Sequence, residues 1–169
     1  MHVPVEIVDN AYQVLLEHKA DGLIALGGRS AIGLAKALAV ISDLPILAIP
    51  STYSGSEMTA VYGTSHMGLK TTSRSAKAMA KVVLYDPELT FSLPYELSVT
   101  SGINSIAHAA EGLYAQNGNP ILNFLAEEAI RSMVKGLRSL RDAESLNNAR
   151  FDCLYGAWLS GVVLENAGM

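Results

Sequence analysis

One stretch constrains this chain more than any other: G-L-I-A-L-G-G-R-S-A-I-G-L-A-K-A-L-A-V-I, followed closely by L-P-I-L-A-I-P. Residues 22–28 are a short apolar run ending in glycines, the pattern of a buried strand entering a tight turn. Residues 31–41 repeat apolar groups at helical period, with Ser30 as the expected N-cap. Residues 44–50 are a second apolar run with proline at both ends. A strand, a helix and a strand in this order make a parallel pair with a right-handed crossover. K-V-V-L-Y-D, residues 81–86, reads as a third strand. Ahead of them, Val5, Val8, Tyr12, Leu15 and Leu16 mark a helix over residues 5–19, stopped by Asp21-Gly22.

After Asp86-Pro87 the texture becomes helical, with helices expected over residues 102–115, 119–140 and 146–166. Asn119 is a cap for the second of these and Pro120 its first residue. Residues 51–80 are rich in Ser, Thr and Gly and show little periodicity; a segment of that length is more often functional than idle. The expected fold class is therefore α/β plus all-α. A partial parallel-sheet domain occupies residues 1–93, and the start of a helical domain occupies residues 94–169. So small a parallel sheet leaves both edges open. The chain also stops at E-N-A-G-M within apolar helical sequence. Both features lead us to expect a piece of a larger protein.

Composition narrows the function classes. Half of the 169 residues are apolar and 17% are charged, which excludes a disordered chain. A net charge of −4 without a basic patch argues against a nucleic-acid partner. Cys153 is the one cysteine, so no internal disulfide exists. Residues 1–20 carry Glu6, Asp9, Glu17 and Lys19 and do not read as a leader, and no run approaches the roughly 20 apolar residues of a membrane span. A soluble cytoplasmic protein without membrane contact is expected.

Three stretches carry chemistry. G-G-R-S, residues 27–30, closes a strand and opens a helix, where free N–H groups and the positive helix end suit a diphosphate; a plain strand-to-helix turn is the bland reading. P-S-T-Y-S-G-S-E-M-T, residues 50–59, leaves the next strand at the same end of the sheet, where parallel sheets hold their ligands. In S-G-I-N-S-I-A-H-A-A-E-G-L-Y-A, Asn104 and His108 are four apart and share a helix face. From the residues alone His108 has three readings: a metal ligand, a satisfied core histidine, or a polar residue of a substrate pocket. Glu111 either orients its imidazole or is a solvated helix charge. Cys153 reads as core, and Tyr155 and Trp158 as packing.

With Y-D-P-E-L-T at 85–90 and L-Y-G-A-W-L-S-G near the end, these stretches occur in an order and spacing that resembles the iron-containing alcohol dehydrogenases, which have the dehydroquinate-synthase-like fold. The Tyr-x-Gly-Ser-Glu-Met-Thr form of the second loop is similar to the maleylacetate reductase branch. The resemblance implies NAD(H) or NADP(H) as cofactor, with the diphosphate on Gly27, Gly28 and Ser30. Thr52, Tyr53 and Ser56 would lie along the nicotinamide, and Lys70 would reach the cofactor. His108 and Asn104 would be the catalytic pair. The implied reaction is reduction of maleylacetate to 3-oxoadipate in aromatic compound breakdown, by a homodimer with a small-molecule substrate.

Metal-dependent members carry Asp and His four apart and two later His. Here Asn104 stands at the Asp position, and His2, His18 and His66 do not match the others, so no metal is expected. Arg29 replaces a usual third glycine. If that position has φ > 0, Arg costs about 1–2 kcal/mol; if not, its guanidinium sits beside the diphosphate. Relative to full members the chain is expected to lack the first strand-helix unit and the later helices, and so to bind cofactor weakly and turn over no maleylacetate. Two rival readings are a metal-dependent dehydrogenase of simple alcohols and a non-catalytic oligomerising remnant.

Overall fold

The computed structural model describes residues 2–142 and 144–168. In chain order the first elements are β1 (Val3–Pro4), α1 (Val5–His18), β2 (Leu23–Gly27), α2 (Arg29–Ser42) and β3 (Ile46–Pro50). A hairpin follows, β4 (Val61–His66) and β5 (Leu69–Arg74), and then β6 (Val82–Val83). Three helices complete the chain: α3 (Tyr95–Leu113), α4 (Pro120–Ser139) and α5 (Leu146–Asn166).

The expected parallel sheet is present, in the order β2-β3-β6, with Gly27 opposite Pro50 at its carboxyl end. Alternation along β2 turns Leu23 and Ala25 onto Ile32, Ala35, Leu38 and Ala39 of α2, and this is one hydrophobic core. The opposite face is bare. Ile24 is 73% exposed, Leu26 58%, Val82 57% and Leu84 48%. The strands are apolar on both faces, as buried parallel strands are, yet a single helical layer packs on them here.

Residues 51–80 hold what periodicity did not reveal. β4 and β5 pair antiparallel through a tight turn at Met67-Gly68, both residues with positive φ, and β1 joins β4 in parallel to form a second sheet. The hairpin was missed because V-Y-G-T-S-H is half-buried along its length and L-K-T-T-S-R is polar and mostly exposed, so no alternation of buried and exposed positions marks them.

The helical half meets its expectations with one change. Asn119 caps α4, its Oδ1 accepting from Ile121 N and Leu122 N at 3.0 Å each, with Pro120 in the first turn. α3 begins at Tyr95 rather than residue 102. Ser98 is buried there and donates to Pro94 O, so its hydroxyl is satisfied inside the helix. Ser30 is likewise not a cap: Gly28 takes the N-cap position and α2 starts at Arg29. The core of this half is Met133, Leu140, Ala149, Cys153, Leu154 and Ala157, and Tyr53 from the α/β half is inserted among them.

Candidate functional site

Because β2 and β3 run parallel in register, the turns after them emerge side by side. Ser51 N donates to Gly27 O at 3.0 Å. A Cβ added to Gly28 would fall 2.8 Å from Thr52 Cγ2, so Thr52 packs on bare backbone that only glycine leaves open. Gly27 has φ 143°, in the region that favours glycine. Arg29 is the first residue of α2 and is not among the residues with positive φ, so the strained alternative for this position is removed. α2 has no side-chain cap and no acidic residue in its first turn, so its positive end faces the cleft uncompensated.

Two cavities lie on this end of the fold. One, of about 380 Å³, is lined by His2, Arg29, Lys36, Ser56, Thr72 and His108, among others. The second, of about 350 Å³, is lined by Arg29, Thr52, Ser54, Leu97, Thr100, Ser101 and Asn104. Arg29 is exposed and lines both. Among the described residues no carboxylate lines either cavity.

Asn104 and His108 do share a face, as their spacing requires. Asn104 Nδ2 and His108 Nε2 lie 3.0 Å apart, and His108 Nδ1 lies 3.5 Å from Glu111 Oε2. Glu111 therefore has the imidazole within reach rather than standing as a lone solvated charge. His108 is half-buried and opens onto the first cavity while Asn104 opens onto the second.

The loop between β3 and β4 is held from beneath by a residue the sequence reading passed over. Lys36 is buried, and its Nζ donates to Ser56 O, to Thr59 Oγ1 (2.9 Å) and to Val61 O (2.9 Å). Beside it Glu57, also buried, accepts a 2.8 Å hydrogen bond from Tyr85 Oη. Burial lowers the Lys36 ammonium to about 8, opposed by the nearby Glu57 and Glu165. Burial likewise raises the Glu57 carboxyl above the usual carboxylate range. A lysine on the apolar stripe of Ile32, Ala35 and Ala39 was the available signal.

The other expected residues divide. Gly27, Gly28, Thr52 and Ser56 converge on the cleft, and Ser30 lies exposed on the first turn of α2. Lys70 is exposed on β5, two residues from the cavity-lining Thr72 and so on the same strand face. Tyr53 departs from its expectation. It is fully buried, its Oη accepts from Arg150 Nη1 at 2.8 Å, and it lines neither cavity; the hydroxyl is spent inside the helical core. Cys153 is buried core, as read, and burial raises its thiol to about 12. Tyr155 stacks on Phe151 and meets Trp158 at a tilt along α5; Tyr155 packs against the core of the helical half, and all three line a small apolar cavity.

Two tests bear on bound groups. Among the described residues no group of three or more His, Cys, Asp and Glu could hold a metal ion, so these side chains alone do not fit one. The uncapped α2 terminus, the bare Gly28 backbone and Arg29 do fit a diphosphate. No helix among the described residues is long and apolar enough to cross a membrane.

Comparison with known proteins agrees with this geometry. Residues 1–87 match the model of the iron-containing alcohol dehydrogenases, and residues 98–169 match the C-terminal model of the Fe-containing alcohol dehydrogenase family. The maleylacetate reductase of Sphingobium indicum is 52% identical over the whole chain, which covers 48% of that protein. The crystal structure of maleylacetate reductase from Rhizobium sp. strain MTP-10005 superposes with a TM-score of 0.94 at 45% identity, over 98% of this chain and 47% of that one. Sulfoacetaldehyde reductase from Bifidobacterium kashiwanohense, solved in complex with NAD+, superposes with a TM-score of 0.88 at 26% identity, over 95% of this chain and 48% of that one. The chain spans about half the length of the curated relatives it matches. Matched by that family's model over residues 1–87, with turns and helices laid out as in its solved structures, the chain belongs to the iron-containing alcohol dehydrogenase family.

Proposed function

We propose that this chain forms the nicotinamide-binding half and one wall of the substrate site of an NAD(P)H-dependent maleylacetate reductase. One observation carries the reading. The cavity beside the cofactor turns is lined by Arg29, Lys36, His2 and His108 and by no acid, which suits a dicarboxylate rather than a neutral alcohol. The naming of the relatives and the NAD+ complex of one structural neighbour support it.

In this reading the diphosphate lies across Gly27, Gly28 and the first turn of α2, with Arg29 as its cationic partner and Thr52 and Ser54 as hydroxyl neighbours. A bound nicotinamide supplies the hydride that reduces the carbon–carbon double bond. The chain's own groups manage charge. The ketone conjugated to that bond becomes enolate-like, the nearby nitrogen donors and the buried Lys36 cation lower its energy, and a proton drawn from water completes the reduction at the carbon next to the ketone. His108, held by Asn104 and Glu111, presents an oriented imidazole to the same cavity. The expectation that no metal takes part has no support in a family named for iron. No step is assigned to a metal because the described side chains do not assemble a donor set. A homodimer and a cytosolic setting belong to the same reading; sedimentation equilibrium tests the former.

Calorimetric titration of the NADH-loaded chain with maleylacetate tests the substrate class. Binding of the dianion about ten-fold or more tighter than its neutral dimethyl ester is expected. Equal affinities would overturn the reading. Loss of NADH absorbance with maleylacetate then reports turnover.

A further inference from the structure

Arg150 lines neither cavity, yet it is bonded to the residue inside each wall of the second one. Its Nη1 donates to Tyr53 Oη at 2.8 Å and to Ser98 Oγ at 2.7 Å, and its Nη2 donates to Leu93 O at 3.1 Å. Tyr53 lies between Thr52 and Ser54, which line that cavity from the β3–β4 loop. Ser98 follows Leu97 and precedes Thr100 and Ser101, which line it from α3. Arg150 itself is buried on α5, a third element, and among the described residues no carboxylate is bonded to it.

A buried guanidinium without a carboxylate partner is costly, and its Nε also lacks a partner among the described residues. A plain helix-packing position would be served better by Leu or Met. What Arg supplies is a rigid fork whose donors hold two separate elements at fixed spacing. We infer that Arg150 is a positioning residue: from behind, it sets the width of the cleft between the Thr52–Ser54 loop and the α3 wall that carries Asn104. The inference rests on the cofactor reading only for the consequence of that width.

The test uses Arg150→Lys, whose single ammonium cannot reach all three acceptors, and Tyr53→Phe, which cuts the loop link while leaving the guanidinium in place. Amide hydrogen exchange is followed in both, and NADH affinity by fluorescence. Exchange is expected to rise about ten-fold or more at residues 51–56 in both variants, and at residues 95–101 in Arg150→Lys. The β2 and α4 amides should stay unchanged, and NADH affinity should fall several-fold. A rise spread evenly over the chain would show a merely structural role, and no rise at either wall would overturn the proposal outright. If the unaltered chain binds no NADH, the cofactor reading fails, while the exchange pattern still decides whether Arg150 holds the walls. Should Arg150→Lys not fold, Tyr53→Phe alone decides the loop side, and unchanged exchange there overturns the inference.

Discussion

The Gly55 carbonyl lies 2.4 Å from where a Cβ on Gly161 would stand. Gly55, at φ 70°, turns the β3–β4 loop, and Gly161 lies on α5, so that loop rests backbone to backbone on the last helix. One methyl at position 161 has nowhere to go, because Gly55 and Met58 close the space. Gly161→Ala is expected to cost about 1–3 kcal/mol, measured by urea denaturation, and to weaken NADH binding by lifting the loop. An Ala variant as stable as the parent would show that the loop is free to move off α5.

His108 is expected to contribute to binding of the dianion more than to the fold, since it is half-buried on the cavity side of α3. His108→Ala should weaken maleylacetate binding by about ten-fold, the worth of one hydrogen bond to a charged group. Glu111→Gln keeps an acceptor for Nδ1 and should lose only about two- to three-fold. Calorimetry on both separates a site role from packing: a lowered unfolding midpoint with unchanged affinity would mark His108 as packing alone.

The buried Lys36 and Glu57 give stability a signed dependence on pH. Lys36 falls from 10.5 to about 8 in the native state, so between those values the unfolded chain holds more protons and native stability rises with pH. The full span corresponds to roughly 3 kcal/mol at most. Glu57 works oppositely: its raised native pKa means stability that is complete below the unfolded value near 4.5 and is lost as pH climbs through the raised one. Above about pH 9 the Cys153 thiol, raised to about 12, begins to oppose Lys36, and above about pH 10 Tyr53 and Tyr85, also raised by burial, add to it. Urea midpoints should therefore decline as pH climbs above about 4.5 and recover between about pH 8 and 9. Glu57→Gln should flatten the declining limb. A steady fall from pH 8 to 9 in that variant would contradict the Lys36 assignment.

Cys153 is expected to be silent. With its thiol raised to about 12, only about one molecule in ten thousand is thiolate at pH 8. Dithionitrobenzoate should therefore label it in 6 M guanidinium and scarcely at all in the folded chain. Rapid labelling without denaturant would mean that α5 opens readily.

Much of this protein was decided locally. Continuous apolar runs located β2 and β3, and helical apolar periods and caps located α2 and most of the three long helices. Parallel pairing then required Gly27–Arg29 and Ser51–Ser56 to emerge at the same end of the sheet. Four-residue spacing likewise sufficed to bring Asn104 against His108. Tertiary packing decided the rest. The β4–β5 hairpin forms from polar segments through long-range backbone pairing that leaves no periodic trace. Tyr53 turned into the helical core because Arg150, ninety-seven residues away, gives its hydroxyl a partner there. Lys36 and Arg150 look like surface charges on paper. Only the assembled fold removes water from them and surrounds them with carbonyls and hydroxyls, because desolvation and partner geometry are properties of distant segments meeting, not of neighbours in a chain.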